Sequence, residues 1–521
     1  MNKSLVLIPV LLSASFVSVA KAKSTKIKRP NILFCIADDA AIKYLSAYGC
    51  KWVNTPAFDQ VARKGLLFNN AYTCNAKSSP SRSCIITGRN SWQLKEAGNH
   101  VPFFPAEFKS FIEVLNENGY SVGYTGKGWA PGEPGKINGI NRELTGKNYS
   151  DIRLVPPTNS ISTCDYVANF NKFLSEKEDK PWFFWYGGME PHRNYEFGSG
   201  IKSGHKKLTD IDKVPDFWPD NDSVRNDMLD YAFEVEYFDN QLHKILDILK
   251  KSGELDNTLV VVTSDNGMPF PRVKGQSYEM SNHLPLAMMW NNGIKKQGRI
   301  IDDMVSFSDF APTFLKIANI DWGKSGMKTT AGRNLTDIMF SDKNYQVTKT
   351  RNHVLIGRER NDVGRPNDEG YPVRGIVKDG FLLLKNFETD RWPGGNPKTG
   401  YLDTDGSPTK SVILNQKRQG KNDYFWNLSF QKRDSIELYD IRKDPVCINN
   451  LAGQKIFSKR VNDMENLMNR ELQKQQDPRI TSNGAIFDNY PYAGPEKDYY
   501  NRFLKGEKID AGWVEKTDFE K

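Results

Sequence analysis

Asn31-Ile32-Leu33-Phe34-Cys35-Ile36-Ala37-Asp38-Asp39 is an unbroken apolar run of strand length that stops abruptly on two carboxylates. A strand with one wet face alternates polar and apolar residues. A continuous run marks a strand covered on both faces, as in a parallel sheet sandwiched by helices. Leu259-Val260-Val261-Val262-Thr263 repeats the pattern and runs into Ser264-Asp265-Asn266-Gly267. Between and around these runs the chain alternates strand and helix. Thr55-Pro56 offers an N-cap and an N1 proline, and Gly65 a stop, ahead of a strand over Leu66–Tyr72. Ser110-x-x-Glu113 reads as a capping box before a helix ending near Gly119, with a strand over Tyr120–Thr125. Trp182–Tyr186 is a further buried run. Tyr231, Val235, Phe238, Leu242, Ile245 and Leu249 recur at helical spacing and predict a long amphipathic helix ending at Gly253. This order predicts an α/β fold with a mostly parallel sheet and helices on both faces.

Composition sets the outer bounds. The chain has 521 residues, and a core this large usually divides, so two domains are expected. After about residue 350 Gly, Pro, Asn and charge increase and the strand-like pieces shorten, as at Phe381–Lys385. The expected division is residues 23–350 for the α/β domain and 351–521 for a smaller α+β domain. Ahead of both, Lys3, the apolar run Leu5–Val19 and Ala20-Lys21-Ala22 have the order of a cleaved export signal, residues 1–22, with cleavage near Ala22. That run is too short to span a bilayer, and no membrane span is expected elsewhere, so the mature chain is expected in the periplasm or outside the cell. Formal net charge is +9, a modest excess that suits a polyanionic substrate without selecting one. Six cysteines show no metal-finger spacing, and an oxidising compartment would permit a Cys50–Cys74 pair.

In open parallel sheets ligands gather at the carboxyl ends of strands. Asp38, Asp39, Asp265 and the amide oxygen of Asn266 all fall there. Adjacent carboxylates repel unless a cation or proton intervenes, and four such oxygens make a cage for a hard divalent ion, with calcium favoured. The same residues would also suit a helix cap at Asp38-Asp39 and a turn at Asp265-Asn266-Gly267.

The segment Ser78-Ser79-Pro80-Ser81-Arg82-Ser83-Cys84-Ile85-Ile86-Thr87-Gly88-Arg89 separates these readings. It resembles the signature of the type I sulfatases: Cys or Ser, any residue, Pro, Ser, Arg, then Thr-Gly. Pro80 and Ser81 suit a first helical turn, whose N-terminus favours an anion. The resemblance extends through Thr55–Asp59, Gly65–Tyr72, Gly119–Lys127, Glu190-Pro191-His192-Arg193, Asp309–Thr313 and Glu437–Asp440 with Asp444-Pro445. It implies an alkaline-phosphatase-like fold with a small C-terminal domain. It also implies that Ser78 is oxidised to 3-oxoalanine (formylglycine) by a radical-type maturing enzyme before export. One Ca2+ per chain would be held by Asp38, Asp39, Asp265, Asn266 and the modified Ser78. The hydrated residue 78 would attack sulfur with Asp265 as its proton partner, and His192 would protonate the leaving group. Arg82, Lys127 and Lys274 would neutralise the transferring sulfate. Taken alone, His192 reads as a loop histidine and the two lysines as surface residues.

One position departs from the family pattern. Trp129 in Gly126-Lys127-Gly128-Trp129 stands where the family carries histidine. An indole N–H donates but cannot act as a base near neutral pH, which makes His100 and His283 the candidates to replace it. Among sulfatases the resemblance is nearest to the heparan N-sulfatases, through Ser264–Pro271, Pro191-His192-Arg193 and Tyr371-Pro372-Val373-Arg374. The implied substrate is a sulfated oligosaccharide, N-sulfoglucosamine of heparan first and an O-sulfate ester second. Glu359, Arg360, Arg365 and Arg374 form a cluster that could grip a second acidic group or form a structural ion-pair network, and His100 and Trp129 are counted with them as substrate-contacting candidates. A phosphoester hydrolase of the same superfamily and a non-catalytic glycan binder are the other classes. No nucleic-acid partner is expected.

Overall fold

The computed structural model describes Met1 and residues 29–520. Apart from Met1, the expected export signal lies outside the described residues. Among the described residues no helix is long and apolar enough to cross a membrane.

Among the described residues the large sheet has nine strands: β1 (Asn31–Ala37), β2 (Leu66–Tyr72), β3 (Ser121–Gly126), β4 (Lys147–Asn148), β5 (Trp182–Gly188), β6 (Thr258–Ser264), β7 (His283–Met289), β8 (Arg299–Ile301) and β9 (Val305–Ser306). Their order is β8-β2-β7-β6-β1-β5-β3-β4, with β9 also on β2. Every pairing is parallel except the two made by β7. The continuous apolar runs are explained by β1. Ile32, Phe34 and Ile36 enter one core and Leu33, Cys35 and Ala37 another, because successive side chains leave a strand on opposite faces.

Helices cover both faces: α1 (Pro56–Arg63), α2 (Ser78–Thr87), α3 (Phe111–Glu117), α4 (Tyr166–Glu176), α5 (Asp222–Lys251) and α6 (Phe310–Ile317). Helices α2, α3 and α6 pack on the first face, and α1, α4 and α5 on the second. The predicted capping box is present on α3, where Ser110 accepts from Glu113 N and Glu113 reaches back to Ser110 N. Thr55 does not cap α1; its hydroxyl accepts from Ser46 N instead. Asp239 of α5 caps α1 by accepting from the backbone N–H groups of Ala57 and Phe58.

The later chain forms a four-stranded antiparallel sheet, β10 (His353–Arg358), β11 (Val373–Lys378), β12 (Phe381–Asn386) and β13 (Ile436–Asp440), backed by α7 (Ser458–Lys474). Its inward side chains Leu355, Ile376, Leu383 and Leu438 join the same apolar cluster as β1 and α6. Residues 401–430 fold back against α5. The C-terminal chain thereby reaches the carboxyl edge of the large sheet and lines a cleft there.

Candidate active site

Asp38 and Asp39 leave β1 at its carboxyl end. In continued strand geometry they would point to opposite faces. Asp39 instead takes φ +74°, an uncommon left-handed conformation for a residue with a Cβ, and its N–H donates to Asp265 Oδ1 at 3.1 Å. The turn brings three carboxylates together. Oxygens of Asp38, Asp39 and Asp265 lie within 4.8 Å of one another, all buried. Asn266 donates its Nδ2 to Asp39 Oδ1 at 2.6 Å, while its Oδ1 is buried without a hydrogen-bond partner. Three buried carboxylates and an orphaned amide oxygen form an all-oxygen donor set, which fits a hard divalent cation.

Ser78 is the first residue of α2, and Lys77 before it makes no side-chain cap. The helix therefore presents free N–H groups at the cleft, a position that favours anions. Ser78 Oγ lies 3.4 Å from Asp38 Oδ1 and accepts from Lys127 Nζ at 3.1 Å. Lys127 also donates to both Asp38 oxygens, at 2.9 and 2.6 Å. It enters the cleft as the chain leaves β3 through Gly126, at φ +73°, where a Cβ would come within 2.0 Å of Gly187 O. One turn along α2, Arg82 is fully buried. It donates to Asp265 Oδ2 at 2.9 Å, to Asp38 Oδ1 at 3.2 Å, and to the carbonyls of Lys127 and Gly128. Burial alone would raise the Asp38 pKa, but the cations beside it, Lys127 first and then Arg82, overcome it and hold the carboxyl well below its usual range.

On the other side Lys274 donates to Asp39 Oδ2 at 2.7 Å, Asp405 Oδ2 at 2.8 Å and His192 Nε2 at 2.9 Å. Burial opposes its charge, yet Asp39 and Asp405 raise its pKa far above the usual lysine value. Asp39, His192 and Asp405 also have metal-ligand spacing, but the Lys274 ammonium contacts all three, so that position is already cationic. His192 Nδ1 lies 2.6 Å from Arg193 O. A carbonyl only accepts, so Nδ1 carries the hydrogen and Nε2 offers its lone pair to Lys274.

The cleft has a volume of about 610 Å³ and is lined by Asp38, Ser78, Lys127, His192, Lys274 and Asp405, with His100, Trp129, Tyr492 and Trp513 on its walls. Trp129 donates its indole N–H to Ser83 Oγ at 2.8 Å and packs edge-on to Phe104, beneath α2. His100 lines the cleft, whereas His283 lies outside it, stacked on Tyr72 between Glu279 and Asn69 O.

The predicted glycan-gripping cluster does not line the cleft. Arg374 is wholly buried and pairs with Asp477 at 2.6 Å and Glu359 at 2.7 Å; Glu359 is shared with Arg479. Arg360 donates to the carbonyls of Tyr490 and Pro491. Arg365 donates to Trp392 O and pairs with Asp403. These four residues form the structural network, because every charged group is met by another part of the chain. The Cys50–Cys74 pairing also differs: Cys74 faces Cys84 Sγ at 2.8 Å, and Cys50 is a separate free thiol.

Lys77, Asp362, Asp405, Tyr492 and Trp513 also line the cleft, and sequence reasoning misses them. Lys77 adjoins Ser78, so its position is a signal that could have found it. The others sit in irregular loops with no periodic signal.

A sulfatase family model matches residues 30–320. The human N-sulphoglucosamine sulphohydrolase is 26% identical over 88% of this chain and 93% of its own length. An N-acetylglucosamine-6-O-sulfatase of Bacteroides thetaiotaomicron is 26% identical over 61% of this chain and 73% of its own. The structure of BT4656 with its substrate D-glucosamine-2-N,6-O-disulfate superposes with a TM-score of 0.62, at 20% identity over 88% of this chain and 100% of that one. The family match runs through β1, α2 and β6, which carry the buried carboxylates and Ser78, and it establishes that this chain belongs to the sulfatase family of hydrolases.

Proposed function

We propose that the protein removes sulfate from glucosamine residues of glycosaminoglycan fragments, with the N-sulfo group of heparan as the preferred position. The observation that carries the reading is the charge balance around Ser78. Four buried carboxylates (Asp38, Asp39, Asp265, Asp405) face three fixed cations (Arg82, Lys127, Lys274). A divalent ion would turn this site net positive, the sign a sulfate needs. Asp38, Asp39, Asp265, Asn266 and residue 78 would hold calcium, which when bound would supply that charge and Lewis acidity. Residue 78, converted to formylglycine by a radical-type maturing enzyme before export to the periplasm, supplies the nucleophile.

The chain's own groups do the rest. The α2 N-terminus and Lys127 orient residue 78 and bind the sulfate oxygens. Arg82 is locked by two carboxylates and two carbonyls, so its charge needs no reorganisation during the reaction. His192, at the cleft wall beside Lys274, would serve as the acid for the departing amine or alcohol once Nε2, whose lone pair faces Lys274, takes up a proton. Likeness along nearly the full length to the human N-sulphoglucosamine sulphohydrolase favours the N-sulfo position. The N-acetylglucosamine-6-O-sulfatase relative favours an O-sulfate ester as the second reading. The test is sulfate release by the matured, calcium-loaded enzyme from N-sulfo-, 6-O-sulfo- and 3-O-sulfoglucosamine. Release only from O-linked positions would replace the first reading with the second, and release from none would remove both.

A further inference from the structure

One charged cluster in the cleft is used by none of these roles. Asp362, on the loop after β10, has His100 Nδ1 2.9 Å from Oδ1 and Lys77 Nζ 2.6 Å from Oδ2. All three residues are buried and all three line the cleft. The partners fix which ring nitrogen carries the hydrogen. Burial alone would raise the Asp362 pKa, but Lys77 and His100 overcome it and hold the group well below its usual range, so it is a carboxylate that only accepts. His100 Nδ1 therefore carries the hydrogen. Burial, with Lys77 and Lys127 adding to it, lowers the His100 pKa against the pull of Asp362 and so favours the neutral imidazole. That leaves the Nε2 lone pair with no protein donor among the described residues, on a side chain whose exposed tenth opens on the cleft.

We propose that His100 Nε2 is a sugar-recognition acceptor, held in one tautomer by Asp362 and taking a hydrogen bond from a ring hydroxyl of the glucosamine being desulfated. A lone pair backed by a carboxylate repels a second sulfate and rejects an acceptor, so the matching group is a neutral O–H donor. The supporting geometry is that of a buried imidazole fixed by a carboxylate on its far nitrogen, which sets ring orientation and raises the basicity of the near one. Aromatic faces from Tyr492 and Trp513 on the same cleft give the apolar side of a sugar ring a surface to lie on. Loss of the acceptor leaves a sugar hydroxyl desolvated and unpaired.

The inference rests on the proposed glucosamine substrate, and its test does not require turnover. The full-length calcium-loaded chain carrying unmodified Ser78 is titrated calorimetrically with methyl glycosides of N-sulfoglucosamine and with the 3-deoxy and 4-deoxy analogues. The wild-type chain should bind one deoxy analogue about three- to tenfold more weakly than the parent. In His100→Phe that discrimination should vanish, while Asp362→Asn, which frees the tautomer, should weaken it. A thermal melt and calcium titration of each variant check that the fold and cage persist. Equal binding of parent and both analogues by the wild-type chain, or undiminished discrimination in a folded His100→Phe, would overturn the assignment. Failure of the glucosamine reading shows separately, as no sulfate release from any glucosamine sulfate by the matured enzyme.

Discussion

The Asp38–Asp39–Asp265 cage and the Glu359–Arg374 network are both dense, buried and charged, yet only the first reaches the cleft, through Asp38. In the network each charge has its partner: Arg374 lies between Asp477 and Glu359, and Glu359 is shared with Arg479. In the cage three carboxylates crowd together beside an amide oxygen with no donor, and a strained Asp39 backbone holds them there. Buried charge is costly in either place. The network offsets the cost internally and is complete. The cage keeps an amide oxygen without a donor, and with Asp405 its four carboxylates outnumber the three cations that face them, a donor set that suits a divalent cation. Clustered charge therefore identifies a site only when its satisfaction is also known.

The largest expected effect breaks the comparison on the cage side. Ser78→Ala should abolish sulfate release from glycan and nitrophenyl sulfate alike, with the melting temperature little changed. Retained turnover would remove residue 78 from the chemistry.

Asp265→Asn takes one carboxylate from the cage and one partner from Arg82. Calcium affinity and kcat/KM should then fall together by orders of magnitude, measured by calcium titration and by sulfate release. Activity that survives chelation would refute the assignment of a working metal to these residues.

Arg374→Ala sharpens the comparison from the other side. It leaves Glu359 and Asp477 buried with one fewer cation, which typically costs about 3–5 kcal/mol. Denaturant unfolding should register that loss, whereas kcat/KM per folded molecule should fall equally on a heparan disaccharide and on an aryl sulfate. A selective loss on the disaccharide would return Arg374 to the substrate.

His192→Ala should lower kcat/KM more on N-sulfoglucosamine than on nitrophenyl sulfate. An amine leaves poorly without a proton and a nitrophenolate leaves without one, so a difference of about 100-fold is within the reach of one acid. Equal losses would make His192 a binding residue.

The smallest effect concerns Asp362. Burial works against its charge, but Lys77 and His100 hold its pKa below the usual carboxylate range. Its contribution to stability is present above the unfolded carboxylate pKa and is lost as pH falls through the depressed value. In Asp362→Asn the acid limb of the stability curve should lose that slope, read from melts at stepped pH.

Much of the fold is legible in the sequence. Periodicity locates the strands at 31–37 and 258–264 and the helix at 222–251 within a few residues at the ends it marks, because local patterning reports which faces a segment must bury. The strand-end carboxylates and the Ser78 frame are legible for a related reason: each is a short local motif at a place the fold predetermines. The Thr55 cap fails because a hydroxyl has competing partners, here Ser46, and Asp239 comes from 182 residues away to cap α1.

The sequence by itself thus determined the buried strands, the carboxylates at their ends and the serine-led helix, since each is a local pattern, while bringing Asp265 to Asp39 across 226 positions is the work of the fold. Only the tertiary structure decided which other charges face the cleft. Asp405 and Asp362 come from loops of the C-terminal chain, folded back beside Lys274, His192 and Lys77. Arg374, which looks equally available in sequence, is turned inward by Asp477, a residue 103 positions away. Side-chain charge is written in composition, but whether it is neutralised inside the protein or left for a substrate depends on long-range partners that no local pattern encodes.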